Sequence, residues 1–108
     1  MYAVIYRGSI HPELEQKYLA LWRQLTEYSI SNRGAVGSCL HKTEQGEYIA
    51  YTRWPDKQTR DDCWGSGANL DADPEIVLAI EEFKKCVDRT KPFEEISMNM
   101  AQDLLDAR

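Results

Sequence analysis

The chain has 108 residues, a formal net charge of −5, 43% hydrophobic and 10% aromatic residues. That length suits one domain, residues 1–108, able to bury a core without staples, and the composition excludes a disordered chain. The acidic balance leaves a nucleic acid or an anionic membrane without an electrostatic footprint, and no apolar run is long enough to span a bilayer.

The first element is the apolar run from Tyr2 to Ile10, rich in β-formers, read as a strand rather than a leader because it lacks a basic start and a small-residue cleavage site. A cytoplasmic protein is therefore expected. His11-Pro12-Glu13 opens a helix, with proline suited to the first turn and Glu13 and Glu15 complementing the positive end of the dipole. Leu14, Tyr18, Leu21, Trp22, Leu25 and Tyr28 form its buried stripe, with Trp22 read as core, and Gly34 ends it.

The segment from Ala35 to Trp54 reads as a β-hairpin turning at Gln45-Gly46, closed by Pro55, which cannot donate to a ladder. With a two-residue tip, His41 faces Ala50, Cys39 faces Thr52 and Gly37 faces Trp54, sharing one side with Tyr48. Large rings beside small residues on that side predict a hollow. Val36, Leu40, Ile49 and Tyr51 then form the other, more uniformly apolar side.

Asp56 to Trp64 predicts a short helix, and Gly65-Ser-Gly67 a loop suited to be a lid. Asp73-Pro74-Glu75 opens a helix with an N-cap and a first-turn proline, its stripe being Ile76, Ala79, Ile80, Phe83 and Val87. Pro92 stops it, and Phe93 to Met100 reads as a last strand with Ile96, Met98 and Met100 on one face.

The order β-α-β-β-(α)-α-β predicts an α+β fold of ferredoxin-like arrangement, a four-stranded antiparallel sheet with strands one and three central and the helices on one side. Val4 and Tyr6 against Ala3 and Ile5, and Tyr48 and Trp54 against Ile49 and Tyr51, make both sheet faces apolar. Helices cover only one. The other is expected to be covered by a second copy, giving a homodimer joined sheet to sheet.

Cys39, Cys63 and Cys86 are odd in number and without a C-x-x-C pair, and read as reduced, buried thiols. No metal site or phosphate-binding glycine motif is visible, and Asp61, Asp62, Asp71 and Asp73 read as solvated surface. His41, a residue type suited to general-base work, points into the hollow in the expected register, with Tyr48 or Cys39 orienting it. Trp64 reads as a ligand-contacting ring and Trp54 as a core ring or a substrate platform, Tyr6 as a further contact, and Arg7 and Arg53, on adjacent strands, as edge or dimer-interface charges or as carboxylate binders.

With these elements placed, Tyr2-Ala-Val-Ile-Tyr-Arg7, Glu13-Leu-Glu-Gln-Lys-Tyr-Leu-Ala-Leu-Trp22, Gly34-Ala-Val-Gly-Ser-Cys39 and above all Tyr48-Ile-Ala-Tyr-Thr-Arg-Trp-Pro55 resemble the dimeric α+β barrel superfamily. Within it, they resemble the antibiotic biosynthesis monooxygenase family. The resemblance implies a small homodimer with a pocket between sheet and helices and, in its oxygenase members, oxidation of aromatic compounds by molecular oxygen without a metal or prosthetic group. Such a pocket uses an Asn on strand three, a Trp at that strand's end and nearby Tyr or Arg groups; Trp54 matches the Trp, and the Asn position falls on Ala50.

The haem-degrading branch is matched in Trp64 but not in its third-helix His, and Tyr6 stands at its strand-one Asn position. The expectation is a cofactor-free monooxygenase or isomerase acting on a small aromatic or carbonyl compound. Its catalytic residues would be His41, Trp54 and Tyr48, with Trp64, Cys39, Arg53 and Tyr6 binding substrate. The alternative is a non-catalytic ligand-binding or stress-associated dimer of the same fold.

Overall fold

The computed structural model describes residues 1–64 and 73–104. β1 (Tyr2–Gly8) leads through a 3-10 turn at Pro12–Leu14 into α1 (Glu15–Asn32), followed by β2 (Gly37–Lys42) and β3 (Tyr48–Trp54). Then come α2 (Lys57–Trp64), α3 (Pro74–Cys86) and β4 (Glu94–Asn99). The sheet is four-stranded and antiparallel in the order β2-β3-β1-β4, so the two central strands are the expected ones. None of the described helices is long and apolar enough to cross a membrane.

Local chemistry accounts for the element ends. Gly34, at φ +85°, lets the chain turn out of α1 in a conformation that costs other residues strain. Asp73 caps α3, its carboxylate accepting from the Glu75 N–H at 2.9 Å, with Pro74 in the first turn. β1 stops at Gly8, and Ile10 makes only an isolated bridge to Val87.

The hairpin departs from expectation by one residue. Its loop is Glu44-Gln45-Gly46: the Thr43 N–H donates to the Glu47 carbonyl at 2.8 Å and the Gly46 N–H to the Thr43 carbonyl at 3.0 Å. Gly46 takes φ +91° as the last loop residue, the left-handed position that a three-residue hairpin loop needs. The Thr43 hydroxyl holds the same turn by accepting from the Glu47 N–H at 3.1 Å. One extra loop residue slides β2 by one position against β3, and a slide of one exchanges its two faces. Leu40 therefore opposes Ala50, Ser38 opposes Thr52, and His41 opposes Ile49.

The helix-covered face of the sheet carries Tyr2, Val4, Tyr6, Tyr48, Ala50 and Trp54, which share one pleat across β1 and β3. Packing there is divided into three buried clusters. Trp54 sits with Tyr2, Val4, Ala35 and Cys63; Tyr18 with Tyr48 and Cys86; Leu25 with Ile76 and Ala79. The uncovered face pairs Ile5 with Tyr51 and Ile96, and Ala3 with Arg53 and Met98. Cys63 and Cys86 are buried free thiols, whereas Cys39, expected to be buried, is exposed.

Candidate active site

Between the three clusters the interior is open: a cavity of about 590 Å³ lies between the sheet and helices α1 and α3. From the sheet, Tyr6, Ser38, Tyr48, Ala50, Thr52 and Trp54 line it; from α1, Tyr18, Trp22, Leu25, Thr26 and Ser29. Trp64, Ile80 and Phe83 complete the walls. Ala50 explains part of the space, because its methyl group stands where the larger Tyr6 and Leu40 flank it on β1 and β2. The predicted hollow on the Tyr48–Trp54 side of β3 is therefore present, with a different set of β2 side chains facing it.

His41, Cys39 and Arg53 do not line the cavity. In the observed register they oppose Ile49, Tyr51 and Gly37 respectively, on the uncovered side of the sheet. A general base at His41 and an orienting thiol at Cys39 were expected from a two-residue tip, and the longer loop removes both from the site. Arg53 instead binds Asp103 at 2.6 Å, while Arg7 binds Glu47 at 2.8 Å. The two arginines are not neighbours, since Arg7 opposes Ile49 and Arg53 opposes Ala3. Trp22, expected to be core, is half-buried and forms part of the cavity wall. The expected lid at Gly65–Gly67 lies outside the described residues.

Tyr48, Trp54, Tyr6 and Trp64 do meet at the cavity. Tyr48 is buried, its ring tilted against Tyr18 at a centroid distance of 5.1 Å, and Tyr18 stacks on Phe83 at 5.0 Å. The Tyr48 hydroxyl donates to the Glu15 carboxylate at 2.7 Å, and Lys42 donates to the same oxygen at 2.6 Å. Burial, reinforced by the negative charge of Glu15, pushes the Tyr48 phenol up to about 12. Lys42 and Tyr48 together hold the Glu15 carboxyl below its ordinary range, so it is ionised at neutral pH.

Tyr6 is the second phenol in the wall. Burial raises its pKa, opposed by Arg60, whose guanidinium donates to the Tyr6 oxygen at 3.2 Å and also pairs with Glu95. Ser38 and Thr52 place their hydroxyls 2.8 Å apart on neighbouring strands. The Trp54 indole N–H is buried with no hydrogen-bond partner among the described residues. A buried donor of that kind is costly, which makes it available to an acceptor entering the interior.

This arrangement can enclose a flat apolar body among rings and offer it a few hydroxyl and N–H groups. It holds no set of three or more His, Cys, Asp or Glu able to grip a metal ion among the described residues. The residues that sequence reasoning missed are Glu15, Lys42 and Ser38. Glu15 looked like a dipole-complementing residue at a helix start, and a two-residue tip puts Ser38 and Lys42, which alternate with Leu40, on the side away from the hollow. A three-residue reading of Glu44-Gln45-Gly46 is the signal that finds all of the β2 positions.

The family model described as "Antibiotic biosynthesis monooxygenase" matches residues 1–62. Solved structures agree over nearly the whole chain. A crystal structure of an antibiotic biosynthesis monooxygenase is similar at 20% identity and a TM-score of 0.69, covering 94% of this chain and 100% of that one. Rv0793 from Mycobacterium tuberculosis is similar at 17% identity and a TM-score of 0.70, covering 94% and 96%. SnoaB, a cofactor-independent oxygenase from Streptomyces nogalater, is similar at 12% identity and a TM-score of 0.72, covering 96% of each chain. At such identities these likenesses establish the fold. No curated protein matches the chain.

Proposed function

The chain belongs to the antibiotic biosynthesis monooxygenase family, and from that membership we propose that it is a single-domain, cofactor-independent monooxygenase acting on a small aromatic compound. The observation that carries this reading is the cavity of about 590 Å³ walled by Trp22, Trp54, Trp64, Tyr6, Tyr18 and Tyr48. Aromatic walls suit a flat aromatic guest, and enclosure keeps a reactive intermediate from water.

Chemically, a bound phenol must lose a proton before it can pass an electron to dioxygen. Tyr48 and Glu15 supply a route: the Tyr48 oxygen accepts the substrate proton while its own proton moves to the Glu15 carboxylate, 2.7 Å away. Glu15 lies at the protein surface side of that pair, bound also by exposed Lys42, and returns the proton to solvent. The phenolate gives one electron to dioxygen and the radical pair joins as a carbon–oxygen bond; that carbon loses its hydrogen as a proton, the O–O bond breaks with departure of hydroxide, and the hydroxide takes up a proton as water. The products are a quinone and water, which balance one phenol and one dioxygen. Tyr6, Trp54 and the Ser38–Thr52 hydroxyl pair are the donors available to the developing oxyanion.

The family's members are commonly dimeric, and the uncovered sheet face supports a homodimer here. Ile5, Ile49, Tyr51, Ile96 and Met98 lie on it, with Ile96 46% exposed. A two-fold pairing of that face with itself removes an apolar patch from water. Light scattering is expected to give twice the chain mass, and a monomer at micromolar concentration overturns the pairing.

The experiment for activity is oxygen uptake with hydroxylated naphthalenes and anthrones, comparing the wild-type protein with Tyr48→Phe. Expected is a kcat lowered at least tenfold with substrate binding retained, because the ring stays and only the proton route is lost. A second reading, a non-catalytic ligand-binding dimer, is favoured by Ala50, which stands at the position of the oxygenases' Asn. Tight binding of the same compounds without oxygen uptake selects that reading.

A further inference from the structure

The cavity opens at one end, where the exposed residues Lys84, Arg89, Lys91 and Phe93 line it. Three cations at one opening stand out in a chain of net charge −5. Asp88 and Glu95 line the same end, but each is engaged. Asp88 accepts from the Thr90 N–H at 3.0 Å and the Thr90 hydroxyl at 2.6 Å, and Glu95 pairs with Arg60. Lys91 is near enough to Asp88 and Glu47 to favour their charged forms. Yet Lys84, Arg89 and Lys91 make no ion pair within 4 Å among the described residues.

We propose that the cavity selects aromatic compounds carrying an anionic substituent, a carboxylate or sulfonate, which Lys84, Arg89 and Lys91 hold at the mouth while the rings enter. The inference rests on the reading of this cavity as an aromatic-binding site. Its physical basis is asymmetry. The buried part of the lining, with Tyr18, Leu25, Ala50 and Trp54, offers few donors, and the reacting phenolate takes those, so a second anion placed there loses its hydration without replacement. At the mouth the same anion stays wet and gains three cations. One end of the guest is thus fixed, and the face it turns to Tyr48 is fixed with it. Arg89 adds a planar fork that matches a carboxylate or sulfonate in two hydrogen bonds.

Anilinonaphthalenesulfonate and phenylnaphthylamine make a matched pair of probes, with the same ring body with and without the anion. Fluorescence titration of the wild-type protein is expected to show tighter binding of the sulfonate. In Lys84→Gln/Arg89→Gln/Lys91→Gln the sulfonate is expected to weaken about tenfold, the sum of three solvent-exposed attractions, with the neutral probe unchanged. All three positions are exposed, so the variant keeps its fold. Raising ionic strength from about 0.01 to about 1 M shortens the Debye length from roughly 30 to 3 Å and is expected to weaken only the sulfonate.

Ala50→Phe, which fills the cavity floor, is expected to abolish binding of both probes. Sulfonate affinity unchanged in the triple variant overturns the inference while leaving the cavity reading intact. Binding unaffected by Ala50→Phe overturns it too, by placing the probe elsewhere. Failure of the neutral probe to bind the wild-type protein removes the aromatic-site reading, and the inference with it.

Discussion

Ala50→Leu tests whether the layer beneath the helices is hollow or filled. Ala50 is buried, only 7% exposed, and its side chain lines the cavity of about 590 Å³. Leucine adds about three carbons, worth roughly 0.8 kcal/mol each when removed from water. Fixing its rotamer costs roughly 0.5–1 kcal/mol, and a cavity open at one end leaves some of the added surface wet. The expected gain is therefore about 1 kcal/mol, which for a domain of this size raises Tm by about 4 °C.

The assay is calorimetry or thermal circular dichroism at matched protein concentration, since a dimer's Tm shifts with concentration. A urea titration with unchanged slope confirms that stability alone has moved. The same substitution is expected to weaken an aromatic guest, so stability and binding move in opposite directions. A fall in stability of about 1–3 kcal/mol refutes the reasoning, because that is the cost of forcing atoms into an already filled layer. The cavity would then be closed in solution, and the proposed site would go with it.

His41→Ala is expected to leave oxygen uptake and probe binding unchanged, because its side chain lies on the face of the sheet away from the cavity; lost turnover with the fold and dimer intact contradicts the hairpin register. Gly34→Ala is expected to cost more than Gly46→Ala in denaturant unfolding. Both glycines have positive φ, each conformation costing an alanine about 1–2 kcal/mol, but a Cβ at Gly34 meets Thr59 Cγ2 at 2.9 Å and one at Gly46 meets nothing within 4 Å. Equal costs sink that comparison.

Glu15 supplies a pH prediction. Hydrogen bonds from Lys42 and Tyr48 lower its folded pKa from the ordinary 4.5, so its contribution is present above that value and lost as pH falls through the folded one. Stability measured down through that acidic window is expected to fall less steeply in Glu15→Gln than in the wild-type protein; parallel curves count against the Tyr48–Glu15 contact.

Element types and most of their ends were legible in the chain because they depend on neighbours a few residues apart. Pro12 and Pro74 open helical segments, Asp73 caps α3, Gly34 releases α1 and Trp54-Pro55 ends β3. The register of β2 was not legible in the same way. Glu44-Gln45-Gly46 accepts either a two- or a three-residue loop, and the local sequence is nearly indifferent between them. The observed alternative places Leu40 beside Ala50 over the interior and leaves His41 and Cys39 exposed, and that difference in burial separates the two.

By itself the sequence determined the strand and helix order, the two central strands, the ring-rich side of β3 and the family. Periodicity, turn chemistry and the Trp54-Pro55 strand end act over short distances and survive without knowledge of contacts. Tertiary structure alone decided which side chains face the cavity. It exchanged His41 and Cys39 for Leu40 and Ser38, joined Glu15 and Lys42 to Tyr48 across helix and sheet, and gathered Lys84, Arg89 and Lys91 at the opening. The Tyr48 contacts join residues far apart in the chain, and the faces of β2 follow from a register that packing on both sides of the sheet selects among alternatives locally almost equal in energy.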